Sequence, residues 1–170
     1  PPERTESMLR VLGLENSKRR LSRGPLYRFS LDALRSSEPE EPARFNLVSL
    51  TAKEPDGPST LGPEFSSLLA GAHPHSPIVV ARVDDHATSV CFGAASGSDV
   101  GIEARVQTLP GYRCSGLGRA CLTAWARAVT ESGQVPLFST EWANRAACGL
   151  ARKTGLELYA ESLLISFLPA

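Results

Sequence analysis

The fold of this chain is decided by the stretch TLPGYRCSGLG, residues 108–118. An apolar run from Val100 leads into it, and an alanine- and leucine-rich helical pattern over residues 117–130 leads out of it. A tight loop therefore runs directly into the N-terminus of a helix, where the first backbone N–H groups lack intrahelical acceptors and the dipole favours anions. Because Gly116 and Gly118 have no Cβ atom to keep a phosphate away, we predict that this loop binds a phosphate or pyrophosphate.

Two common nucleotide-binding patterns fail on this loop. A P-loop requires Lys and then Ser or Thr after its last glycine, but Leu117 and Gly118 follow Gly116. A dinucleotide fingerprint requires a third glycine or alanine where Cys121 stands, and the acidic residue expected about 20 positions further on is missing. The stretch instead fits the pattern R-x-x-G-x-G, with Arg113 as its first residue and a Pro-x-Tyr sequence just upstream.

The sequence downstream of the loop supplies the context for this pattern. A short strand pattern over residues 133–140 is followed by a helix that opens near Trp142 and contains Asn144 and a pair of alanines. That helix closes with the run Arg-Lys-Thr-Gly at residues 152–155, with basic residues in its last turn and glycine after it. From about Val79 to Leu158 the chain resembles the GNAT superfamily of acyl-CoA-dependent N-acetyltransferases.

The resemblance implies an α/β (α+β) fold with a mixed, mostly antiparallel central sheet that is flanked by helices and splayed between two strands at the acyl-CoA site. It implies acetyl-CoA as co-substrate and no metal. Backbone N–H groups of the strand before the loop would polarise the thioester carbonyl, and the loop would hold the pyrophosphate. The residues that the resemblance assigns to cofactor binding are Val106, Gln107, Thr108, Arg113, Cys114, Ser115, Gly116, Leu117, Gly118, Arg119, Asn144 and Ala147.

The acid–base groups are the part of the reaction for which the sequence leaves alternatives open. A lysine-like amine has a pKa near 10.4, so it needs a base or a proton-carrying water at neutral pH. Glu103 and Glu141 are the candidate bases, and the alternative for Glu103 is a solvent-facing position on a half-exposed strand. Many members of the family place a tyrosine, as general acid for the thiolate, at the position that is Ala151 here.

The absence of that tyrosine has two explanations. A thiol with a pKa of roughly 8.5 is a good leaving group near neutral pH without an acid. Alternatively, the domain binds coenzyme A without turnover. Tyr159 and Cys148 are candidate replacements whose direction the sequence does not fix.

The resulting functional hypothesis is an N-acetyltransferase that transfers acetyl from acetyl-CoA to a primary amine of a small molecule or peptide, by direct attack on the thioester. The alternative is a non-catalytic coenzyme-A-binding regulatory or interaction module. An unrelated α/β domain with a glycine-rich turn is the third interpretation, and four motif segments in the right order speak against it.

Length and composition agree with one domain or one domain plus an extension. The chain has 170 residues, 42% of them hydrophobic, and 18 basic residues balance 18 acidic ones, which gives no case for nucleic acid or membrane as a partner. Residues 1–104 carry 11 Lys and Arg against 14 Asp and Glu, a net charge of −3, whereas residues 105–170 carry 7 against 4, a net charge of +3. The cofactor half is thus the positive one, as a polyphosphate ligand favours.

The four cysteines, at positions 91, 114, 121 and 148, form no C-x-x-C pair and are interpreted as reduced thiols of a cytoplasmic protein. His73 and His75 are interpreted as surface-loop residues in preference to metal ligands or a proton shuttle. No apolar run approaches 18 residues. A homodimer is an expectation that the sequence leaves open.

Periodicity gives an ordered set of predicted elements. Residues 1–42 are predicted as an N-terminal extension, with a helix over 5–21, a short strand over 26–31 and a loop over 36–42, and residues 43–170 as the acetyltransferase domain. In that domain we predict strands at 45–52, 78–83, 86–92 and 100–108, a helix at 63–70, and one or two strands within 156–168.

Overall fold

The computed structural model describes residues 2–13, 19–30, 32, 34, 45–51, 61–69, 71–73, 76–94 and 100–167, so the loop predicted at 36–42 and His75 lie outside the described residues. The helices are α1 (Pro2–Val11), α2 (Pro63–Leu69), α3 (Leu117–Glu131) and α4 (Arg145–Thr154). The strands are β1 (Arg19–Arg28), β2 (Asn46–Thr51), β3 (Pro77–Val83), β4 (His86–Gly93), β5 (Gly101–Thr108), β6 (Val135–Ser139) and β7 (Glu157–Phe167).

The strands form one seven-stranded sheet in the order β2-β3-β4-β5-β6-β1-β7. Neighbouring strands run antiparallel except β5 and β6, the sole parallel pair in the part of the chain that the structure describes. This is the mixed, mostly antiparallel sheet with flanking helices that the sequence predicts. The predicted elements after residue 43 agree with the structure within a few residues, and the C-terminal stretch forms one strand.

Local sequence accounts for the centre of the fold. Asp84 and Asp85 join β3 to β4, and both have the positive φ values, 49° and 63°, that a tight two-residue hairpin turn requires. Strand β5 ends in a short 3₁₀ turn over Pro110–Tyr112, and α3 begins directly after Gly116. The hairpin and the loop therefore fix the position of α3 on the sheet.

Two apolar clusters cover the two faces of the sheet. On one face, α3 packs through Leu117, Cys121 and Trp125 against side chains such as Ile102 of β5. Trp125 is fully buried, and its Nε1 donates a hydrogen bond to Ser76 Oγ at 3.1 Å. On the opposite face, α2 packs on β3 and β4.

The N-terminal residues differ from their prediction. The helix predicted over 5–21 ends at Val11, because Gly13 adopts a left-handed φ of 66°, and residues 19–28 form a strand instead. That strand, β1, lies between β6 and β7 and pairs with both. Residues 1–42, predicted as an extension, therefore contribute an interior strand to the central sheet.

The end of β6 lies tightly against β1. After Ser139 the chain continues along β1, with Thr140 N–H donating to Pro25 O at 3.3 Å and Trp142 N–H donating to Arg23 O at 3.1 Å. Between these bonds, Gly24 approaches the Thr140 carbonyl so closely that a Cβ atom would overlap it. The segment that leads from β6 to α4 is thus held by β1.

Candidate functional site

A gap opens in the middle of the sheet, between β5 and β6. These strands pair at three positions only, the last of which is Glu103 with Leu137. Beyond it, β5 continues to Thr108 alongside β4, whereas Phe138 and Ser139 of β6 pair with β1. Five residues of β5, about 16 Å of strand, thus have no strand partner on the β6 side within the part of the chain that the structure describes. The splayed strands predicted for the acyl-CoA site are present.

The hydrogen bonds of β5 show which backbone groups face this gap. Ala94 N–H donates to Glu103 O at 2.8 Å, and Leu109 N–H donates to Thr88 O at 2.9 Å, so odd-numbered residues of β5 turn their backbone groups toward β4. Backbone groups alternate along a strand, so Val106 and Thr108 direct theirs into the gap. Among the three residues predicted on this strand, Gln107 N–H is thereby directed to β4 and belongs to the ladder.

The glycine-rich loop lies at the mouth of the gap. Its predicted binding residues Arg113, Cys114 and Ser115 are exposed, and Arg113 Nε donates to Thr108 O at 3.4 Å. Ser115 Oγ donates to Tyr112 O at 2.6 Å, which closes the turn on itself, and Cys114 has a left-handed φ of 61°. The loop therefore presents a basic side chain and an ordered backbone to the space beyond β5.

The first turn of α3 has the properties of an anion site. Its N-cap, Gly116, has φ 98° and makes no side-chain capping bond, and no acidic residue lies in the first turn. Helix geometry leaves the first backbone N–H groups without intrahelical acceptors. Arg119 is exposed in this turn, whereas Leu117 turns into the core and anchors the helix.

The close packing of α3 on β5 brings this turn to the gap. A Cβ atom at Gly118 would lie 3.1 Å from Thr108 Oγ1 and 3.7 Å from Val106 Cγ1, so the helix start is in contact with the gap-facing residues of β5. Thr108 Oγ1 is itself held by Ser89 Oγ at 2.8 Å. The uncapped start of α3 and the gap-facing backbone of β5 are therefore adjacent, and their N–H donors suit a phosphate-bearing ligand with an extended arm.

Helix α4 begins on the opposite side of the gap, after β6. The Asn144 side chain is exposed, and its Oδ1 accepts a hydrogen bond from Ala147 N–H at 3.1 Å, so it caps this helix. Ala147 is half-buried and packs against the main core cluster, and Ala151 is fully buried within it. Ala147 and Ala151 thus place small side chains on the face of α4 that packs on the core.

The two candidate bases have different surroundings. Glu103 is half-buried, and its Oε1 accepts a hydrogen bond from Ser139 Oγ at 2.6 Å, so the carboxylate bridges β5 and β6 at the point where they part. Glu141 is exposed in the segment between β6 and α4. The side chain of Glu103 thus lies at the closed end of the gap.

A tyrosine that the sequence analysis did not single out lies under α4. Tyr27 of β1 is buried, and its ring stacks on Phe138 with centroids 6.2 Å apart. Burial, followed by the neighbouring Cys148, raises the pKa of the Tyr27 phenol. No sequence signal identifies Tyr27, because its neighbours lie more than 100 residues further along the chain.

Two buried thiols, Cys91 of β4 and Cys121 of α3, lie in the core. Burial is the main cause that raises the pKa of Cys91, and burial raises the pKa of Cys121 to about 11. Both thiols therefore stay protonated at neutral pH and act as core side chains.

His73, predicted on the surface, is buried, and its backbone N–H donates to Gly93 O at 2.7 Å.

Among the described residues, no group of three or more His, Cys, Asp or Glu side chains is arranged to hold a metal ion. Within the same residues, no helix combines the length and the apolar character needed to cross a membrane.

Comparison with solved structures identifies the fold. An acetyltransferase of the GNAT family from Novosphingobium aromaticivorans matches with a TM-score of 0.63 and 17% identity, over 88% of this chain and 66% of that one. A tandem GNAT protein from the clavulanic acid biosynthesis pathway matches with a TM-score of 0.66 and 15% identity, over 97% and 60%. A GCN5-related N-acetyltransferase from Kribbella flavida matches with a TM-score of 0.64 and 19% identity, over 96% and 64%.

The chain thus has the GNAT fold, as the resemblance predicts, and it spans 60 to 66% of the length of these three structures. No family model matches the sequence. No curated protein matches it either.

Proposed function

We propose that this domain is an N-acetyltransferase that transfers acetyl from acetyl-CoA to a primary amine of a small-molecule or peptide acceptor, by direct attack on the thioester. The observation that carries the proposal is the gap between β5 and β6 with the uncapped start of α3 at its mouth. A diphosphate on the helix N-terminus and a pantetheine arm along β5 would occupy these two features together.

The residues around the gap suit the chemistry. The N–H groups of Val106 and Thr108 would donate to the thioester carbonyl oxygen as it gains negative charge. Preorganised donors of this kind typically stabilise a transition state by about 3 kcal/mol. Glu103 would accept the proton that the amine loses, directly or through water, because its carboxylate lies where the strands part.

The first experiment measures acetyl-CoA binding by calorimetry and by the rise in melting temperature. Gly116→Val is the test variant, because φ 98° is strained for any side chain by about 1–3 kcal/mol and the loop must change shape to relieve it. We expect acetyl-CoA affinity to fall at least about tenfold, which corresponds to about 1.4 kcal/mol.

Gly111→Val is the matched control, since Gly111 is exposed, its φ is not left-handed and a Cβ atom there meets nothing within 4 Å. This variant should bind acetyl-CoA as the wild type does. Absence of any binding to the wild type at millimolar acetyl-CoA would contradict the proposal.

A non-catalytic coenzyme-A-binding module remains the second candidate, favoured by Ala151 at the position of the expected tyrosine. The two candidates differ in thiol release, followed with a chromogenic disulfide across a broad amine panel. Turnover with any amine supports the enzyme. Binding without thiol release from any amine supports the module. The cytoplasmic location and the oligomeric state stay predictions.

A further inference from the structure

Strand β5 presents different side chains to the two faces of the sheet. Ile102 and Ala104 belong to the core cluster that packs under α3. Because side chains alternate along a strand, Glu103, Arg105 and Gln107 lie on the opposite face, the one that carries α2. The gap therefore has a different lining on each face.

The coenzyme and the acceptor would use opposite faces of the gap. The start of α3 is in contact with Thr108 and Val106 from its own face of the sheet, so a coenzyme bound there enters the gap from that face. The other face is left for the acceptor, and the carboxylate of the candidate base Glu103 lies on it. The side chains of β5 on the α2 face are therefore placed to contact the acceptor near its reacting nitrogen.

The apolar cover of the α2 face stops at β5. On the neighbouring strand β4, the register partners of Arg105 and Gln107 are Phe92 and Val90, and both of these are buried in the apolar cluster beneath α2. Arg105 and Gln107 themselves are exposed. The edge of the gap on this face is therefore a row of polar side chains.

Two members of this row carry opposite charges and do not pair with each other. Their Cα atoms lie about 7 Å apart along the strand. Glu103 Oε1 accepts a hydrogen bond from Ser139 Oγ at 2.6 Å instead. Among the described residues, the Arg105 side chain has neither a hydrogen bond nor an ion pair. A fixed carboxylate and an unpaired guanidinium thus lie side by side at the gap.

We propose that the acceptor is a small amino acid, an amine that carries its own carboxylate, and that Arg105 determines this specificity. The inference rests on the proposed function. The amino group of the acceptor would lie beside Glu103, and its carboxylate would bind the Arg105 guanidinium, which matches a carboxylate with two parallel N–H donors. The charges of a zwitterion and of these two side chains are in complementary order.

The reaction uses the two groups differently. The ammonium group loses a proton, which Glu103 accepts directly or through water, and its nitrogen then bonds to the carbonyl carbon of the thioester. The C–S bond breaks with its electron pair passing to sulfur, and the second proton leaving the nitrogen completes the thiol. Arg105 takes no part in these transfers and holds the acceptor while they occur.

The same arrangement disfavours other amines. A diamine brings a second positive charge toward the guanidinium, and like charges that meet in this way are repelled. A peptide N-terminus or a lysine side chain of a protein has an amide in place of the neighbouring carboxylate. Neither supplies the anion that Arg105 would bind.

The test compares each amino acid of a panel with its decarboxylated amine, for example phenylalanine with phenethylamine and lysine with cadaverine. Thiol release from acetyl-CoA gives kcat/KM for both members of a pair. The basicity of the amine also differs within a pair, so the readout is the change in the ratio of the two kcat/KM values on substitution. A substitution with a merely structural effect lowers both values together and leaves this ratio unchanged.

Arg105→Gln should reduce the preference for the amino acid about tenfold or more, because a charge-assisted hydrogen bond is lost for that member of the pair alone. Arg105→Glu should reverse the preference between lysine and cadaverine, since the new carboxylate attracts the second ammonium group. Arg152→Gln is the matched control, because Arg152 is exposed in the last turn of α4, and this variant should keep the wild-type ratios.

An unchanged ratio in Arg105→Gln would overturn the inference, and turnover in the same assays would leave the proposed function standing. Turnover of peptides or plain amines without any amino acid would have the same meaning. Binding of acetyl-CoA without turnover of any member of the panel would overturn the assigned acceptor class and support the coenzyme-A-binding module.

Discussion

Three glycines around the site are required for three different physical reasons. At Gly24 the backbone of Thr140 occupies the position of a Cβ atom, at Gly116 the backbone has φ 98°, and at Gly118 the helix packs on Thr108. The last two are recognisable in the sequence, because they share a motif with Arg113. The requirement at Gly24 is visible only in the structure, since its neighbour is distant in the chain.

Gly24→Ala is expected to destabilise the domain by about 3 kcal/mol or more, because the new methyl group overlaps a backbone carbonyl that cannot rotate away. The strand or the 140–142 segment must shift to accommodate it. Urea unfolding followed by circular dichroism measures the effect.

Gly149→Ala is the matched control for this substitution. Gly149 lies in α4, and a Cβ atom there meets nothing within 4 Å. Alanine is the better helix former, so this variant should be more stable than wild type by about 0.5–1 kcal/mol. Equal stability of the two alanine variants would show that the close approach at Gly24 is absent in solution.

At the scale of the elements, α4 combines a structural boundary with a candidate ligand contact. Asn144 caps the helix through its side-chain oxygen, and Gly155 with φ 73° ends it. The resemblance to the GNAT superfamily implies a coenzyme contact for the same asparagine. The two functions require different chemistry, because the cap uses only the oxygen whereas a ligand contact can also use the amide NH₂.

Substitution at Asn144 separates these functions. Asn144→Ala should cost about 1 kcal/mol of stability through loss of the cap, and Asn144→Asp should keep the wild-type stability because a carboxylate accepts the same bond. Acetyl-CoA affinity should fall severalfold in both variants. Melting curves and calorimetry on the same samples test this, and full affinity in Asn144→Asp would refute a contact through the amide.

The elements differ in how well the sequence predicts them. The β3–β4 hairpin, α3 and the loop before it are encoded locally, by paired aspartates, an apolar stripe and glycines. Strand β1 is not, since residues 19–28 pair with Ser139 and with residues 157–167 at the other end of the chain. Local patterns predicted a helix over 5–21 and a short strand over 26–31, and pairing with distant strands extends that strand back to Arg19. Tyr27 was missed for the same reason.

At the scale of the whole molecule, the fold pairs its first and last strands at one end of the sheet, with β7 at the edge. Strand β1 lies between β6, which precedes α4, and β7, which closes the chain. One wall of the gap therefore depends on N-terminal residues, whereas the loop and α3 lie in the more basic second half. The site is complete only when both parts of the chain are folded together.

The core thiols should make the stability of the whole domain depend on alkaline pH. The pKa of Cys121 rises from 9.0 to about 11 in the folded state, and that of Cys91 rises as well. Their stabilising contribution is complete below pH 9 and is lost as pH rises toward the folded-state pKa, because the unfolded chain ionises first. Cys121 alone should remove about 1 kcal/mol between pH 8 and pH 10.

Urea unfolding at a series of pH values, in the presence of a phosphine reductant, measures this slope. Cys121→Ala should lower stability at pH 8 through the cavity it leaves, yet show a shallower fall toward pH 10 than wild type. Val129→Ala, also fully buried in α3 but without a titratable group, should lower stability and keep the wild-type slope. Parallel curves for wild type and Cys121→Ala would show that this thiol ionises equally in both states. The alkaline loss would then have to come from other groups, such as the Tyr27 phenol, whose raised pKa acts in the same direction at higher pH.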